Sequence, residues 1–182
     1  MTVVGGGSNL IENYLFENSR SGESAVYVET AGNLTIRNSE IAGSTNVGLV
    51  VVDATEVRVD TSIFSDNFSD GMKATWKSRR PRDLARQGQV IAITNSIFSN
   101  NGPTGFLATN LGTLPKLSVT LSFFQLNAGS GASFCCSPEY GSLELGSNTG
   151  FGNTASNCGD FLLYGFGTEE ATTCLALDTR FP

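Results

Sequence analysis

Between positions 60 and 79 the chain sets three carboxylates, Asp60, Asp66 and Asp70, among cations that include Lys73 and Arg79. Neighbouring Asp residues can divide acid and base roles, and a nearby Lys or Arg can take or hold a proton. These five are the candidate catalytic residues. A basic cluster overlaps them. Lys73, Lys77, Arg79, Arg80, Arg82 and Arg86 are 6 of the 11 basic residues, and the 1 Trp, Trp76, stands among them. A basic loop with one aromatic suits an anionic polysaccharide or a phosphate backbone. Trp76, Lys77, Arg79, Arg80, Arg82 and Arg86 are therefore the candidate ligand-binding residues. The preferred reading of the loop is plainer. It lies across the fold, with Trp76 and Leu84 covering apolar outward positions, and pairing of Asp83 with Arg82 or Arg86 is surface decoration.

The chain has no His, which removes His-based triads, His general bases and His-ligated metals. Its 4 Cys are Cys135, Cys136, Cys158 and Cys174. They lack the Cys-x-x-Cys spacing of a zinc site, so no metal centre is expected. An even, clustered set suits disulfides, with more than one pairing open. Cys158 with Cys174 is favoured, because it ties the tail to the last coil. Vicinal Cys135 and Cys136 point to opposite faces of a strand. Disulfides imply oxidising surroundings, so an extracellular or cell-surface location is expected. Asn33-Leu-Thr35 and Asn67-Phe-Ser69 match the glycosylation pattern, and only Asn33 is free to serve. A net charge of -6 without a recognised module disfavours nucleic acid. No run approaches ~18 consecutive apolar residues, so no membrane insertion is expected.

The elements that must hold these groups follow from a repeat. The 182 residues are 40% hydrophobic and 15% charged, and a charged fraction below the ~25% of an average chain disfavours a helical bundle. Leu34, Ile36 and Ile41 begin a phrase that returns as Val57, Val59, Phe64 and Asn67. It returns again as Ile91, Ile93, Phe98 and Asn101, and as Leu117, Val119, Phe124 and Asn127. Weaker copies lie at 11–18 and 143–153. From Ile41 to Phe64, Phe98 and Phe124 the offsets are 23, 34 and 26 residues, a repeat with one basic insertion at 76–88. Each copy also carries a second short apolar segment, usually led by a glycine such as Gly48, Gly71, Gly105 or Gly131.

No two-residue hairpin turn separates the segments, so each strand must pair with its own copy in the next repeat. The prediction is an all-β, parallel solenoid of about six coils, a rod of roughly 30 Å. Period-2 alternation turns Leu34, Ile36 and their equivalents inward. It also stacks Phe64, Phe98, Phe124 and Phe151, and makes a ladder of Asn67, Asn101 and Asn127. On the outside it lines up Val50, Leu107 and Leu162, with Lys73 and Ser133 between, and leaves Val52 outward. That apolar row should be covered by the insertion or by a partner chain.

On these repeats the chain resembles right-handed parallel β-helix proteins, the pectin-lyase-like superfold, over residues ~8–164. The three Phe-x-x-Asn copies are also similar to the repeats of polymorphic outer-membrane protein passengers, although the Gly-Gly-Ala-Ile partner motif of that family is missing. The resemblance implies a right-handed single-stranded parallel β-helix over 1–164. An irregular tail, 165–182, would cap the last coil through Leu175, Leu177 and Phe181. It further implies two chemistries: lyases whose carboxylates hold Ca²⁺ against an acidic sugar while Arg or Lys takes the proton, and hydrolases with clustered Asp. Neighbouring copies supply no acidic ladder for either. Arg37, Thr94 and Thr120 align with Asp60, and Val47, Thr104 and Ser130 with Asp70.

The reading is therefore a non-catalytic extracellular module for surface interaction or assembly. Its partner would be a protein or an anionic polysaccharide, and no cofactor is expected. The alternative is a carbohydrate-active enzyme, a polysaccharide lyase or hydrolase acting on an acidic polysaccharide; Ca²⁺ enters only there. The start of the chain shows no leader or capping helix, which suggests a piece of a longer protein.

Overall fold

The computed structural model describes residues 1–20, 22–30, 32–76, 89–109, 116–135, 142–153, 161–164 and 173–175. Strands come in triplets. The first is β1 (Thr2–Gly5), β2 (Asn9–Glu12) and β3 (Leu15–Glu17), and the second β4 (Val26–Thr30), β5 (Asn33–Arg37) and β6 (Glu40–Ala42). Next come β7 (Leu49–Val52), β8 (Glu56–Asp60) and β9 (Ile63–Ser65), then β10 (Met72–Thr75), β11 (Val90–Thr94) and β12 (Ile97–Ser99). The fifth is β13 (Thr104–Thr109), β14 (Lys116–Thr120) and β15 (Phe123–Gln125). The sixth is β16 (Ser130–Cys135), β17 (Ser142–Gly146) and β18 (Thr149–Phe151), and β19 (Phe161–Tyr164) and β20 (Thr173–Leu175) follow.

Each member of a triplet pairs with the same member of the next, so the chain winds through three sheets. The first has the order β1-β4-β7-β10-β13-β16-β19-β20, the second runs from β17 to β2, and the third from β18 to β3. Among the described residues every pairing is parallel except β19 with β20, which is antiparallel. The expected parallel solenoid is therefore what forms. Within the tail expected to be irregular, Thr173–Leu175 is a strand on the edge of the first sheet.

Alternation fills the interior. Leu34, Ile36, Val57, Val59, Ile91, Ile93, Leu117 and Val119 are all buried in one core. Phe64, Phe98 and Phe124 are fully buried, with ring centroids 4.9 and 5.0 Å apart and planes within 5° and 4° of parallel. That spacing is the strand separation itself; burial of each ring contributes about 1.5–3 kcal/mol. The register sets Gly150, not Phe151, opposite Phe124, and Phe151 opposite Gln125.

The asparagine ladder forms as expected and reaches one coil further. The Asn67 amide donates to Asn101 Oδ1 at 2.9 Å, Asn101 to Asn127 at 3.0 Å, and Asn127 to Asn153 at 2.8 Å. Each amide also donates to a backbone carbonyl, of Ile41, Phe64 and Phe98 in turn. The corner's buried polar groups are thus satisfied by the next coil. A second ladder was not anticipated. The Ser39 N–H donates to Ser62 Oγ, Ser62 to Ser96, and Ser96 to Ser122, at 3.3, 3.2 and 3.2 Å.

The glycines before the first-sheet strands have a steric reason. A Cβ on Gly71 would lie 2.7 Å from the Gly105 carbonyl oxygen and 2.8 Å from the Asn101 amide nitrogen. The asparagine ladder leaves no room there for a side chain.

Left-handed residues bound the third-sheet strands on both sides. Before them stand Asn13, Asn38, Thr61, Asn95, Leu121 and Ser147, with φ between 48° and 56°. After them stand Asn18, Gly43, Asp66, Asn100, Leu126 and Gly152, with φ between 51° and 66°. Asn, Asp and Gly tolerate this backbone region best.

Candidate functional site

The candidate acids share a stretch of sequence but not a site. Asp60 ends β8 in the register row Glu12, Arg37, Asp60, Thr94 and Thr120. Arg37 pairs with Glu12 at 2.7 Å; that hydrogen bond and charge, with help from Asp60, raise its pKa above the usual guanidinium value. Asn95 donates to Asp60 Oδ1 at 3.4 Å. Asp66 is exposed at a left-handed corner, φ 55°. Its N–H donates to the Ser99 carbonyl at 3.1 Å. Asp60 precedes the corner between β8 and β9, whereas Asp66 and Asp70 both lie in the connection between β9 and β10, the first exposed and the second buried. Among the described residues no group of three or more His, Cys, Asp or Glu is arranged to hold a metal ion.

Asp70 is the unusual one. It is 5% exposed and sits just before β10. Burial pushes its carboxyl above the ordinary Asp range, against the opposing pull of Lys73 and of hydrogen bonds from the Thr104 hydroxyl and N–H. Its buried Oδ1 finds no hydrogen-bond partner among the described residues. A single buried acid can hold a proton at higher pH than a free Asp, but glycoside cleavage needs a second carboxyl across the bond. Among the described residues the charged group that acts on it is the Lys73 ammonium, not a second carboxyl.

Trp76 overturns an expectation. It is 3% exposed and belongs to the core, and its Nε1 donates to the Ala54 carbonyl at 2.6 Å. Met72, Ala74 and Trp76 alternate inward, so the ring is neither a ligand platform nor an outer cover. Lys77, Arg79, Arg80, Arg82, Arg86 and Leu84 lie outside the described residues, as does Cys158. Cys174 lies on β20, opposite Leu162 in register.

The outer row of the first sheet does align Val50, Lys73, Leu107, Ser133 and Leu162. It is less open than its composition suggested. Val50, Lys73 and Leu107 are half-buried, and Val52 and Ser133 are buried at 4% and 6% exposure.

The more open apolar surface is on the third sheet, where sequence reasoning did not place one. Leu15, Glu40, Ile63, Ile97, Phe123 and Thr149 form one outward row. Phe123 is 48% exposed, and Leu121 and Leu126, at the corners on either side of it, are 52% and 49% exposed. The available signal was the residue before each stacked ring: Ile63 before Phe64, Ile97 before Phe98, Phe123 before Phe124.

Toward the first coils this face becomes acidic and concave. Asn13, Tyr14, Leu15, Asn38, Glu40, Thr61 and Ile63 line a groove of about 520 Å³. Tyr14 stacks on Phe16 at 5.4 Å and 15° at its rim. An adjoining groove of about 220 Å³ is lined by Glu17, Glu40 and Asp66 among others. Neither lining includes a Lys or Arg. The two ion pairs among the described residues, Arg37–Glu12 and Arg58–Glu56, are on the second sheet. The arrangement can hold cationic and apolar groups side by side.

Comparison with known proteins agrees with the architecture. The family model described as right handed beta helix region matches residues 2–166. No curated protein and no solved structure matches the chain.

Proposed function

The chain belongs to the right-handed β-helix family, and from that premise we propose that it is a non-catalytic module for surface interaction or assembly, working outside the cell. One observation carries this reading. Asp60, Asp66 and Asp70 are divided between two connections and engaged respectively in a charged row, an exposed turn and the interior. Acid–base chemistry needs groups converging on one bond, whereas a rigid rod with distinct faces suits binding. The Phe-x-x-Asn copies, similar to those of outer-membrane passengers, favour the same role at a cell surface. The partner is a protein; an anionic polysaccharide held by the basic insertion is the second option.

A carbohydrate-active enzyme is the competing reading, and Asp70 favours it: a buried acid with a raised pKa close to Lys73 is the sort of group that marks active sites. The test is a panel of acidic polysaccharides followed by ultraviolet absorbance for unsaturated uronides and by reducing-end release, with and without Ca²⁺. No turnover is expected. Turnover abolished by Lys73→Ala, in a protein that still melts cooperatively, would overturn the proposal.

A further inference from the structure

The fifth coil breaks local rules twice on one face. Leu121 and Leu126 both adopt left-handed backbone, φ 51° and 54°, which branched apolar side chains rarely enter. The corresponding corners of the other coils carry Asn, Asp, Gly, Thr or Ser. Both leucines are also about half exposed, and Phe123 stands exposed between them. Backbone preference and solvation oppose these residues together. Conflicts of this kind concentrate at sites kept for function.

We propose that the outer face of the third sheet docks a protein segment that is apolar where it meets Leu121, Phe123 and Leu126 and cationic where it meets Glu17, Glu40 and Asp66. Charge selects this occupant. Three carboxylates line the concave end with no Lys or Arg beside them, and Ile63 and Ile97 join that end to the apolar one. A second copy of the chain fits poorly. Two third sheets packed face to face about a twofold axis would lay the acidic coils of one copy either over those of the other or over its Phe123, between chains each carrying -6. An anionic membrane surface would be repelled by the same carboxylates.

This inference rests on the interaction-module reading and specifies its face. The test pans a displayed random dodecapeptide library against the wild-type protein. The counter-selection uses Leu121→Asn/Phe123→Thr/Leu126→Asn, in which each position takes a residue type found there in another coil. Expected peptides carry Lys or Arg beside aliphatic or aromatic residues. A synthetic copy of the most enriched one should bind the triple variant about tenfold or more weakly. Glu17→Gln/Glu40→Gln should weaken binding and remove most of its salt dependence.

The triple variant should melt at or above the wild-type temperature, because Asn suits both corners. A lower melting temperature would mean that the leucines serve the fold, and would overturn the inference. So would acidic or uncharged peptides, binding that survives the triple variant, or no enrichment over it. Failure here without polysaccharide turnover removes the face alone. Turnover alongside face-dependent peptide binding removes the non-catalytic reading alone.

Discussion

Asn101→Ala tests the ladder that holds the coils in register. Asn101 is 2% exposed and makes four side-chain hydrogen bonds. Its Oδ1 accepts from the Asn67 N–H at 3.3 Å and the Asn67 amide at 2.9 Å. Its Nδ2 donates to the Phe64 carbonyl and to Asn127 Oδ1, both at 3.0 Å. At a net ~0.5–1.5 kcal/mol each, these bonds together are worth about 2–6 kcal/mol. Some groups keep a second partner: the Asn67 amide still reaches the Ile41 carbonyl, and Asn127 Oδ1 still accepts the Asn101 N–H. The Asn67 N–H loses its side-chain acceptor. A loss of about 3–4 kcal/mol is therefore expected, a large part of the ~5–15 kcal/mol that holds a domain together. Urea unfolding followed by far-ultraviolet circular dichroism measures it, and amide exchange should show the Asn67 N–H losing protection. Asn101→Asp keeps the shape and both acceptor roles but puts a charge in the ladder, so it should be worse at neutral pH than in acid. A loss below about 1 kcal/mol for the alanine variant, with an unchanged denaturant slope, would refute the reasoning.

Asp70 makes stability fall as pH rises. Burial raises its folded pKa, so the native state binds this proton more tightly than the unfolded chain. The contribution is full below the ordinary Asp range and is lost as pH climbs through the raised value. Asp70→Asn should remove that slope and be about 1–2 kcal/mol more stable than wild type at neutral pH; parallel stability–pH curves for the two proteins would count against it. Trp76 fluorescence should be blue-shifted and shielded from iodide. Trp76→Phe should cost about 1–2 kcal/mol, chiefly from stranding the Ala54 carbonyl, and an emission maximum typical of water would place the ring outside the core. Gly71→Ala should cost about 1–3 kcal/mol, because the new methyl meets the Asn101 amide and the Gly105 carbonyl. Gly5→Ala, with nothing within 4 Å, should stay within about 0.5 kcal/mol of wild type, and equal melting temperatures for the two variants would contradict the packing account.

The interior was written in the sequence. Alternation along a strand and recurrence between coils are local properties, and they fix which of Leu34, Thr35 and Ile36 points inward before any contact is known. Phe-x-x-Asn sets a ring and an amide at fixed offsets from one corner, so both stacks follow once strands pair with their own copies. Trp76 was legible in the same way from Met72 and Ala74, but its basic neighbours suggested surface chemistry. The faces were not legible, because a coil carries neighbouring residues around the circumference while pairing unites residues a whole coil apart. Asp60, Asp66 and Asp70 are close in sequence, yet one joins a charged row, one an exposed turn and one the interior. Leu121, Phe123 and Leu126 look like scattered apolar residues until the left-handed corners turn all three toward solvent beside Ile97. The alternation of each strand determined what is buried; the pairing register and corner geometry, which no single repeat contains, decided what is displayed together.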